Sequence, residues 1–389
     1  MAVAQDAARR SALRFIVLCG VISLFADMTY EGARSITGPY LGLLGAGAAV
    51  VGAVAGAGEL TGYGLRLASG WFADRTRRYW TLTLAGYAMN LLAAPLLAFA
   101  GRWEIAALLI LLERAGKGLR TPARDAMLSH ASRTVGTGWG FGLHEAMDQI
   151  GAVTGPLIVA AAIALRGGYR VGFAVLFGPA MAALAVLVAA RLAFPRPAEL
   201  EVKRSVPSGE RLPRTFWLYL AATGLLAAGY ADFPLIAFHL SGKALIADGW
   251  IPILYAGAMA VDAIAALAAG RWFDRLGVRT LAAAALASAF AAPLAFTGSR
   301  EAALAGLVLW GIGMGAQESV MRAAVAEMAP ATKRGTAYGV FHAGYGICWF
   351  AGSALMGVLY DVSIAALAVF SAAAQLAAAT LLLVLARNR

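Results

Sequence analysis

The feature that most constrains this chain is a series of apolar runs, each long enough to cross a lipid bilayer as one helix. A transmembrane helix needs about 20 predominantly apolar residues. We count twelve such runs, separated by glycine, proline or clustered charges. Of the 389 residues, 61% are hydrophobic and 14% are charged, whereas soluble domains carry about 25% charged residues. The sequence therefore predicts an integral membrane protein.

Only helices and closed barrels satisfy every backbone polar group inside lipid. The apolar runs are long and do not alternate with polar residues, which favours helices over a barrel. The twelve predicted spans are residues 15–42, 46–70, 80–100, 104–126, 138–165, 170–194, 214–240, 248–269, 280–299, 302–328, 336–360 and 363–386.

A charged segment at residues 70–78 returns at residues 270–279, which indicates an internal repeat. Asp74 and Asp274 lie 200 residues apart, each in a short hairpin between two spans. We therefore predict an all-α integral membrane protein with twelve transmembrane helices in two pseudo-symmetric six-helix bundles. The predicted bundles are residues 1–194 and 214–389, and the polar residues 195–213 form a cytoplasmic linker.

The net charge of +11 does not indicate a nucleic-acid partner, because the bases lie in alternate loops. Nineteen loop or tail bases fall on one predicted side of the membrane, and five fall on the other. The positive-inside rule then places both termini and both charged hairpins in the cytoplasm. We expect a multi-pass protein of the cell (inner or plasma) membrane.

The first span carries Asp27, Glu31 and Arg34 at helical spacing, so the three side chains share one face. Ionisable groups at this depth are costly and mark functional sites by default. The alternative is that Glu31 and Arg34 form a structural pair near the outer interface. The third span contains Asn90 but no charged residue, and we expect it to be peripheral.

The fourth span is the most charged. Glu113, Lys117, Arg120 and Arg124 follow i, i+4, i+7 and i+11, which predicts one polar stripe, whereas Arg114 is predicted to point elsewhere. Such a stripe must line water or meet acids on other helices. If the helix ends near Arg120, Arg124 and Asp125 are loop charges instead.

In the fifth span, His144 and Asp148 lie one helical turn apart. A histidine next to a carboxylate can bind a proton near physiological pH. The alternative is a buried histidine whose hydrogen bonds are simply satisfied.

The second half has fewer charges. Asp232 in span seven corresponds to Asp27 in span one, and span ten offers Gln317, Glu318 and Arg322, of which the last two are spaced as an ion pair. We expect ion coupling mainly in the first half and fitting of the substrate's shape mainly in the second.

The whole chain resembles the major facilitator superfamily, whose hairpin signature is roughly G-x-x-x-D-R-x-G-R-[RK]. The matching residues are Gly70, Asp74, Arg75, Arg77 and Arg78 in the first half, with Thr76 where a small residue or glycine is usual, and Gly270, Asp274, Arg275, Gly277 and Arg279 in the second.

Two weaker signatures resemble the drug/proton antiporter branch. In span four, Arg114 to Gly118 is similar to R-x-x-Q-G, but Lys117 replaces the amide. In span five, Gly151, Gly155 and Pro156 match a G-x-x-x-G-P-x-x-G-G pattern that lacks its final glycines here. Lys117 leaves an anionic or zwitterionic substrate open.

The resemblance implies alternating access, in which two bundles rock about a site at the midplane. The hairpin aspartate of the family holds a cytoplasmic gate shut, and Asp74 is the expected latch. We assign proton coupling to Asp27, Glu31, Glu113, His144 and Asp148. We assign substrate binding to Arg34, Lys117, Arg120, Asp232, Gln317 and Glu318. We assign gating to Gly70, Asp74, Arg75, Arg78, Arg114, Asp274 and Arg275.

The sequence thus predicts a secondary active transporter of a small organic molecule, with proton-coupled export as the leading hypothesis. Proton-coupled uptake of a small organic anion is the alternative within the same fold. A membrane-embedded receptor or enzyme is the alternative from another class, although no catalytic constellation is visible. The expected partners are a small-molecule substrate, protons and lipid, without nucleic acid, metal or cofactor, and we expect a monomer.

Overall fold

The computed structural model describes residues 2–135, 137–195, 212–296, 298–328 and 334–387. Within these ranges, side chains are described except at residues 2–8, 74, 130, 133, 134, 137–142, 166, 322, 326 and 334–336. Most of the predicted linker lies outside the described residues.

Twelve helical segments follow one another in the predicted order, which confirms the predicted fold class. Their bounds are α1 Ala2–Leu43, α2 Ala48–Thr76, α3 Tyr79–Leu96, α4 Trp103–Val135, α5 Thr137–Arg166, α6 Tyr169–Ala174 with Phe177–Ala193, α7 Arg214–Ala228 with Phe233–Gly242, α8 Ile251–Leu276, α9 Arg279–Ser288 with Ala291–Ala295, α10 Arg300–Met328, α11 Arg334–Val362 and α12 Ile364–Arg387.

Within the described residues, nine helices are long and apolar enough to cross a membrane by length and composition. The segment Arg279–Ala295 of α9 is apolar but shorter. Helix α4 is outside this set because of its charges, and it is also longer than predicted. Because α4 continues through Pro122 to Val135, Arg124 and Asp125 are helical residues and not loop charges.

The chain divides into two compact units. The first contains Met1–Arg34 and Gly64–Ser205, and the second contains Ser35–Tyr63 and Val206–Arg389. Residues 35–63, the end of α1 and most of α2, therefore group with the carboxyl-terminal helices. The bundle boundaries predicted from the repeat stay a prediction.

Each unit contains the same two close helix crossings. In the first unit α3 meets α4, where a Cβ added at Gly116 would lie 2.5 Å from the Asn90 backbone nitrogen. In the second unit α9 meets α10, where a Cβ at Gly306 would lie 2.5 Å from the Ala295 nitrogen. Likewise α5 crosses α1 at Gly151, and α11 crosses α7 at Gly352. Small residues permit such contact between membrane helices, and the shared pairing agrees with the predicted repeat.

Helix α7 is interrupted between Ala228 and Phe233. Backbone carbonyls freed by a break in lipid must find other donors. Three side chains from α10 and α12 supply them: Gln375 Nε2 bonds Leu226 O at 3.0 Å, Ser371 Oγ bonds Gly229 O at 2.6 Å, and Trp310 Nε1 bonds Ala231 O at 2.8 Å. The break is therefore a satisfied part of the buried interior.

The two charged hairpins share one backbone feature. Arg77 has φ +54° and Gly277 has φ +57°, and they lie 200 residues apart. A residue with positive φ commonly ends a helix, and glycine adopts this conformation without steric cost. Arg77, and not Thr76, therefore occupies the glycine position of the signature, so the alignment predicted for this hairpin is wrong by one residue.

We expect Arg77→Gly to raise the free energy of unfolding by about 0.5–1 kcal/mol, because it relieves a left-handed conformation that L side chains resist. Chemical denaturation in detergent micelles measures the change. Arg77→Ala removes the same charge without relieving the conformation and should give no gain, while Gly277→Ala should cost about 1 kcal/mol. Equal stabilisation by Arg77→Gly and Arg77→Ala would contradict this explanation.

Candidate transport site

Helix α1 carries a polar face in the first unit. Ser23, Asp27, Tyr30 and Arg34 follow i, i+4, i+7 and i+11, so they lie one above another along the helix. Ser23 and Tyr30 are 1% and 3% exposed. This face meets charged residues of α4 and α5.

Tyr30 gathers three cations, and we call Tyr30, Arg34, Arg114 and Lys117 the Tyr30 cluster. The Tyr30 hydroxyl accepts hydrogen bonds from Arg34 Nη1 at 3.0 Å and from Arg114 Nη1 at 2.6 Å. Arg114 Cζ also lies 4.7 Å from the centre of the Tyr30 ring, and Lys117 Nζ lies 3.6 Å from it. The prediction that Arg114 points elsewhere is wrong, since it shares this ring with Lys117.

Glu113 is tied to α3 and to its own neighbour. Asn90 Nδ2 donates to Glu113 Oε1 at 2.5 Å and to the Glu113 carbonyl at 3.1 Å. Glu113 Oε2 lies 3.3 Å from Arg114 Nε, and both side chains are about nine-tenths buried. The span that the sequence predicts to be peripheral therefore contributes one buried contact to the charged helix, because Asn90 is 1% exposed.

Arg120 is 1% exposed, with its Cζ atom 4.2 Å from the centre of the Tyr87 ring on α3. Its Nε and Nη1 atoms have no hydrogen-bond partner among the described residues. The predicted α4 stripe thus divides: Glu113 and Arg120 meet α3, whereas Lys117 meets α1. The stripe was predicted to avoid lipid. This prediction requires that its side chains contact other protein residues, and each of these three does so.

A second polar set, which we call the Ser23 network, comprises Ser23, Arg124, Asp125, His144 and Asp148. Arg124 Nη2 lies 2.8 Å from Asp125 Oδ1, and Arg124 Nη1 donates to Ser23 Oγ at 3.2 Å. Ser23 Oγ lies 2.8 Å from His144 Nε2, and His144 Nδ1 lies 3.4 Å from Asp148 Oδ2. The predicted proximity of His144 and Asp148 is confirmed.

Asp27 lies between the two sets on α1. Its electrostatic neighbours are Lys117, Glu31, Arg120 and Arg124, and Asp148 interacts with it as well. Helix α5 approaches closely here because Gly151 has no side chain: a Cβ at Gly151 would lie 3.1 Å from Asp27 Cβ. The structure therefore brings Asp27, Glu31, Lys117, Arg120 and Asp148 into one ionised interior.

The predicted residues of the second half are described within the second unit. Asp232 is 2% exposed at the α7 break, and its carboxylate accepts Trp349 Nε1 at 3.0 Å and Ser353 Oγ at 2.5 Å. The Gln317 amide donates to the Gly313 carbonyl at 3.1 Å and accepts the Tyr345 hydroxyl at 2.9 Å.

Glu318 is exposed. The Arg322 side chain, its predicted ion-pair partner, lies outside the described residues.

The hairpin residues assigned to gating lie at helix ends. Gly70 packs near Pro122 of α4, and a Cβ added there would be 3.6 Å from Pro122 Cβ. Arg75 is exposed, with its guanidinium 5.4 Å from the Trp71 ring centre. Arg78, Asp274 and Arg275 are exposed. The Asp74 side chain lies outside the described residues, so its role as a latch stays a prediction.

Sequence reasoning missed Ser23, Tyr30 and Tyr87. The signal for the first two was present, because both continue the helical spacing that joins Asp27 to Arg34. Serine and tyrosine carry no charge at neutral pH, so they do not stand out in a membrane span as Asp27 and Arg34 do. Tyr87 lies one turn before Asn90, in a span with no charged residue to mark it.

Charged residues inside a helical membrane fold commonly mark substrate and ion pathways. The family model described as the Major Facilitator Superfamily matches residues 16–253 and 233–389. The chain therefore belongs to this superfamily of transporters.

The relatives and solved structures agree with this assignment. An uncharacterised protein of Mycobacterium tuberculosis is 45% identical over 375 residues, covering 95% of this chain and 92% of the relative. An uncharacterised transporter of the same superfamily from Methanocaldococcus jannaschii is 32% identical over 141 residues, which is 36% of this chain and 35% of the relative.

Two solved structures show the same fold at low sequence identity. A bacterial homolog of the human lysosomal transporter Spinster has a TM-score of 0.72 at 15% identity, covering 97% of this chain and 96% of that one. A POT family transporter in complex with 5-aminolevulinic acid has a TM-score of 0.76 at 13% identity, covering 96% of each chain.

A substitution series at Tyr30 separates its hydroxyl from its ring. We expect Tyr30→Phe to lower the free energy of unfolding by about 1–3 kcal/mol, because two guanidinium donors lose a shared acceptor. Tyr30→Leu should cost about 1–2 kcal/mol more, because it also removes the ring beneath Lys117. Denaturation in micelles gives both values. The cluster has no stabilising role if both variants match the wild type.

Proposed function

We propose that this chain is a proton-coupled secondary transporter of a small organic anion. It acts by alternating access in the cell membrane, as a monomer with both termini in the cytoplasm. The asymmetric loop charge supports this orientation. The single observation that carries the choice of substrate is the position of Lys117 on Tyr30.

The Lys117 ammonium faces an aromatic ring in a half-buried position. Asp27 and Glu31 act electrostatically on this ammonium, and the ion pairs described above do not include it. A ring satisfies one side of an ammonium and leaves its other N–H groups to donate. Arg34 and Arg114 add positive charge around the same phenol. A carboxylate or phosphate group of a substrate is the complementary partner for such a cluster.

Proton coupling is supported by the acids near this cluster. Asp27 and Asp148 interact electrostatically inside the first unit. Two like charges are costly in a low-dielectric interior, and one bound proton removes that repulsion. Glu113 is less suited to carry a proton, because Asn90 and Arg114 already hold its carboxylate. Proton binding at Asp27 or Asp148 would change its attraction to the α4 cations and bias the conformational equilibrium.

Export is the direction we propose, on the resemblance of Gly151, Gly155 and Pro156 to the antiporter signature. Uptake by proton symport is the second candidate, and it is favoured if Lys117 and Arg120 together hold the carboxylate or phosphate of the substrate. Proteoliposomes with an imposed pH gradient distinguish the two, because an antiporter and a symporter move the substrate in opposite directions for the same gradient. No flux with any ligand found by the binding screen below contradicts both.

A thermal-shift screen tests the substrate class. We expect compounds with a carboxylate or phosphate to stabilise the purified protein, and their neutral amides or esters to have no effect. Lys117→Gln should weaken binding of such an anion about tenfold, the loss of one charge-assisted hydrogen bond. Lys243→Gln, which removes an exposed lysine, is the matched control. Stabilisation by neutral or cationic compounds alone would contradict the proposed class.

The coupling residues are tested by neutral replacements. We expect Asp27→Asn and Asp148→Asn to abolish transport driven by a pH gradient, while substrate exchange without a gradient continues. Glu113→Gln should reduce protein stability, because it removes the negative charge that forms an ion pair with the Arg114 guanidinium. Flux assays in proteoliposomes provide the readout. Full gradient-driven transport in both Asp27→Asn and Asp148→Asn would refute these assignments.

A further inference from the structure

Ser23 has no role in the transport cycle proposed above, although it is 1% exposed and joins three helices. Its hydroxyl lies between Arg124 of α4 and His144 of α5. We propose that Ser23 is a positioning residue that holds neutral His144 in the tautomer with its proton on Nδ1, directed at Asp148. The tautomer follows from the geometry alone, whereas its effect on coupling rests on the proposed function.

One of these hydrogen bonds has a fixed direction, and together with the Asp148 carboxylate it favours one tautomer. A guanidinium can only donate, so Ser23 Oγ accepts from Arg124 Nη1 at 3.2 Å. The Ser23 proton is then available for His144 Nε2 at 2.8 Å. Nε2 accepts, and the single proton of the neutral ring lies on Nδ1, 3.4 Å from Asp148 Oδ2. With the opposite tautomer, the Nδ1 lone pair would face a carboxylate oxygen.

The charges around the pair favour a neutral ring. Arg124, Asp125 and Arg120 of α4 act on His144. Asp148 is further influenced by Asp27 of α1 and Glu145 of α5. A second ring proton would lie next to the Arg124 guanidinium. Asp148 Oδ1 has no hydrogen-bond partner among the described residues, so one oxygen faces the His144 ring and the other can receive a proton.

Solid-state ¹⁵N NMR of the histidine-labelled protein in liposomes tests the tautomer directly. The chain has four histidines, and His144→Gln identifies the signal. We expect an Nδ1–H tautomer in the wild type and in Ser23→Thr, which retains the hydroxyl. We expect at least partial reversion to the Nε2–H form in Ser23→Ala. An Nε2–H signal in the wild type, or an unchanged signal in Ser23→Ala, overturns the proposal.

A transport measurement tests the consequence for coupling, with the strongest stabilising anion from the thermal-shift screen as the probe. Losing the oriented donor destabilises the charged carboxylate, so the pH profile of Ser23→Ala should move to higher pH by roughly 0.5–1 unit. Ser23→Thr should restore the wild-type profile. Ser129→Ala, which removes a hydroxyl bonded to the Ala126 carbonyl, is the control and should leave it unchanged.

The two possible failures are distinguishable. If substrate transport by the wild type does not respond to the pH gradient, the proposed proton coupling is wrong, and the NMR measurement still determines the tautomer. If the wild type is gradient-driven and the Ser23→Ala profile coincides with it, Ser23 does not act on coupling and the proposed function stands.

Discussion

The cost of a charged side chain in hydrocarbon is the constraint on which the first unit depends. Helix α4 places four cations in a membrane-crossing segment, and all four have described partners. Arg114 and Lys117 meet the Tyr30 phenol, Arg120 meets the face of Tyr87, and Arg124 meets Asp125. Aromatic side chains thus meet three of these four cations.

The number, order and approximate limits of the helices were predictable, because hydrocarbon thickness and backbone satisfaction permit few alternatives. The interruptions within helices were not predictable, because they depend on hydrogen-bond partners far along the chain. The interruption of α7 needs Trp310, Ser371 and Gln375 to bond its carbonyls. Pro234 at the start of the second part of α7 is a signal for the break itself, but nothing within residues 214–242 identifies these partners.

The sequence predicted which residues belong to the candidate site better than it predicted which of them contact one another. Helical spacing identified Asp27, Lys117 and Asp148, but it does not fix how a helix is rotated against its neighbours. Arg114 therefore turned out to share Tyr30 with Lys117. At the hairpin the sequence was sufficient: the signature has its glycine three residues after the aspartate, which is Arg77 and not Thr76, and the backbone dihedral agrees. The substrate depends on distances between such groups, which spacing along one helix does not specify.

The interrupted α7 has a mechanical consequence. Three hydrogen-bond donors on two other helices cap its bare carbonyls, and Asp232 receives two more donors from α11. Sliding α7 by itself would break all of these hydrogen bonds, each of which costs free energy when a buried group is left unpaired. Helices α7, α10, α11 and α12 are thus coupled, so a movement of one of them favours a movement of the other three.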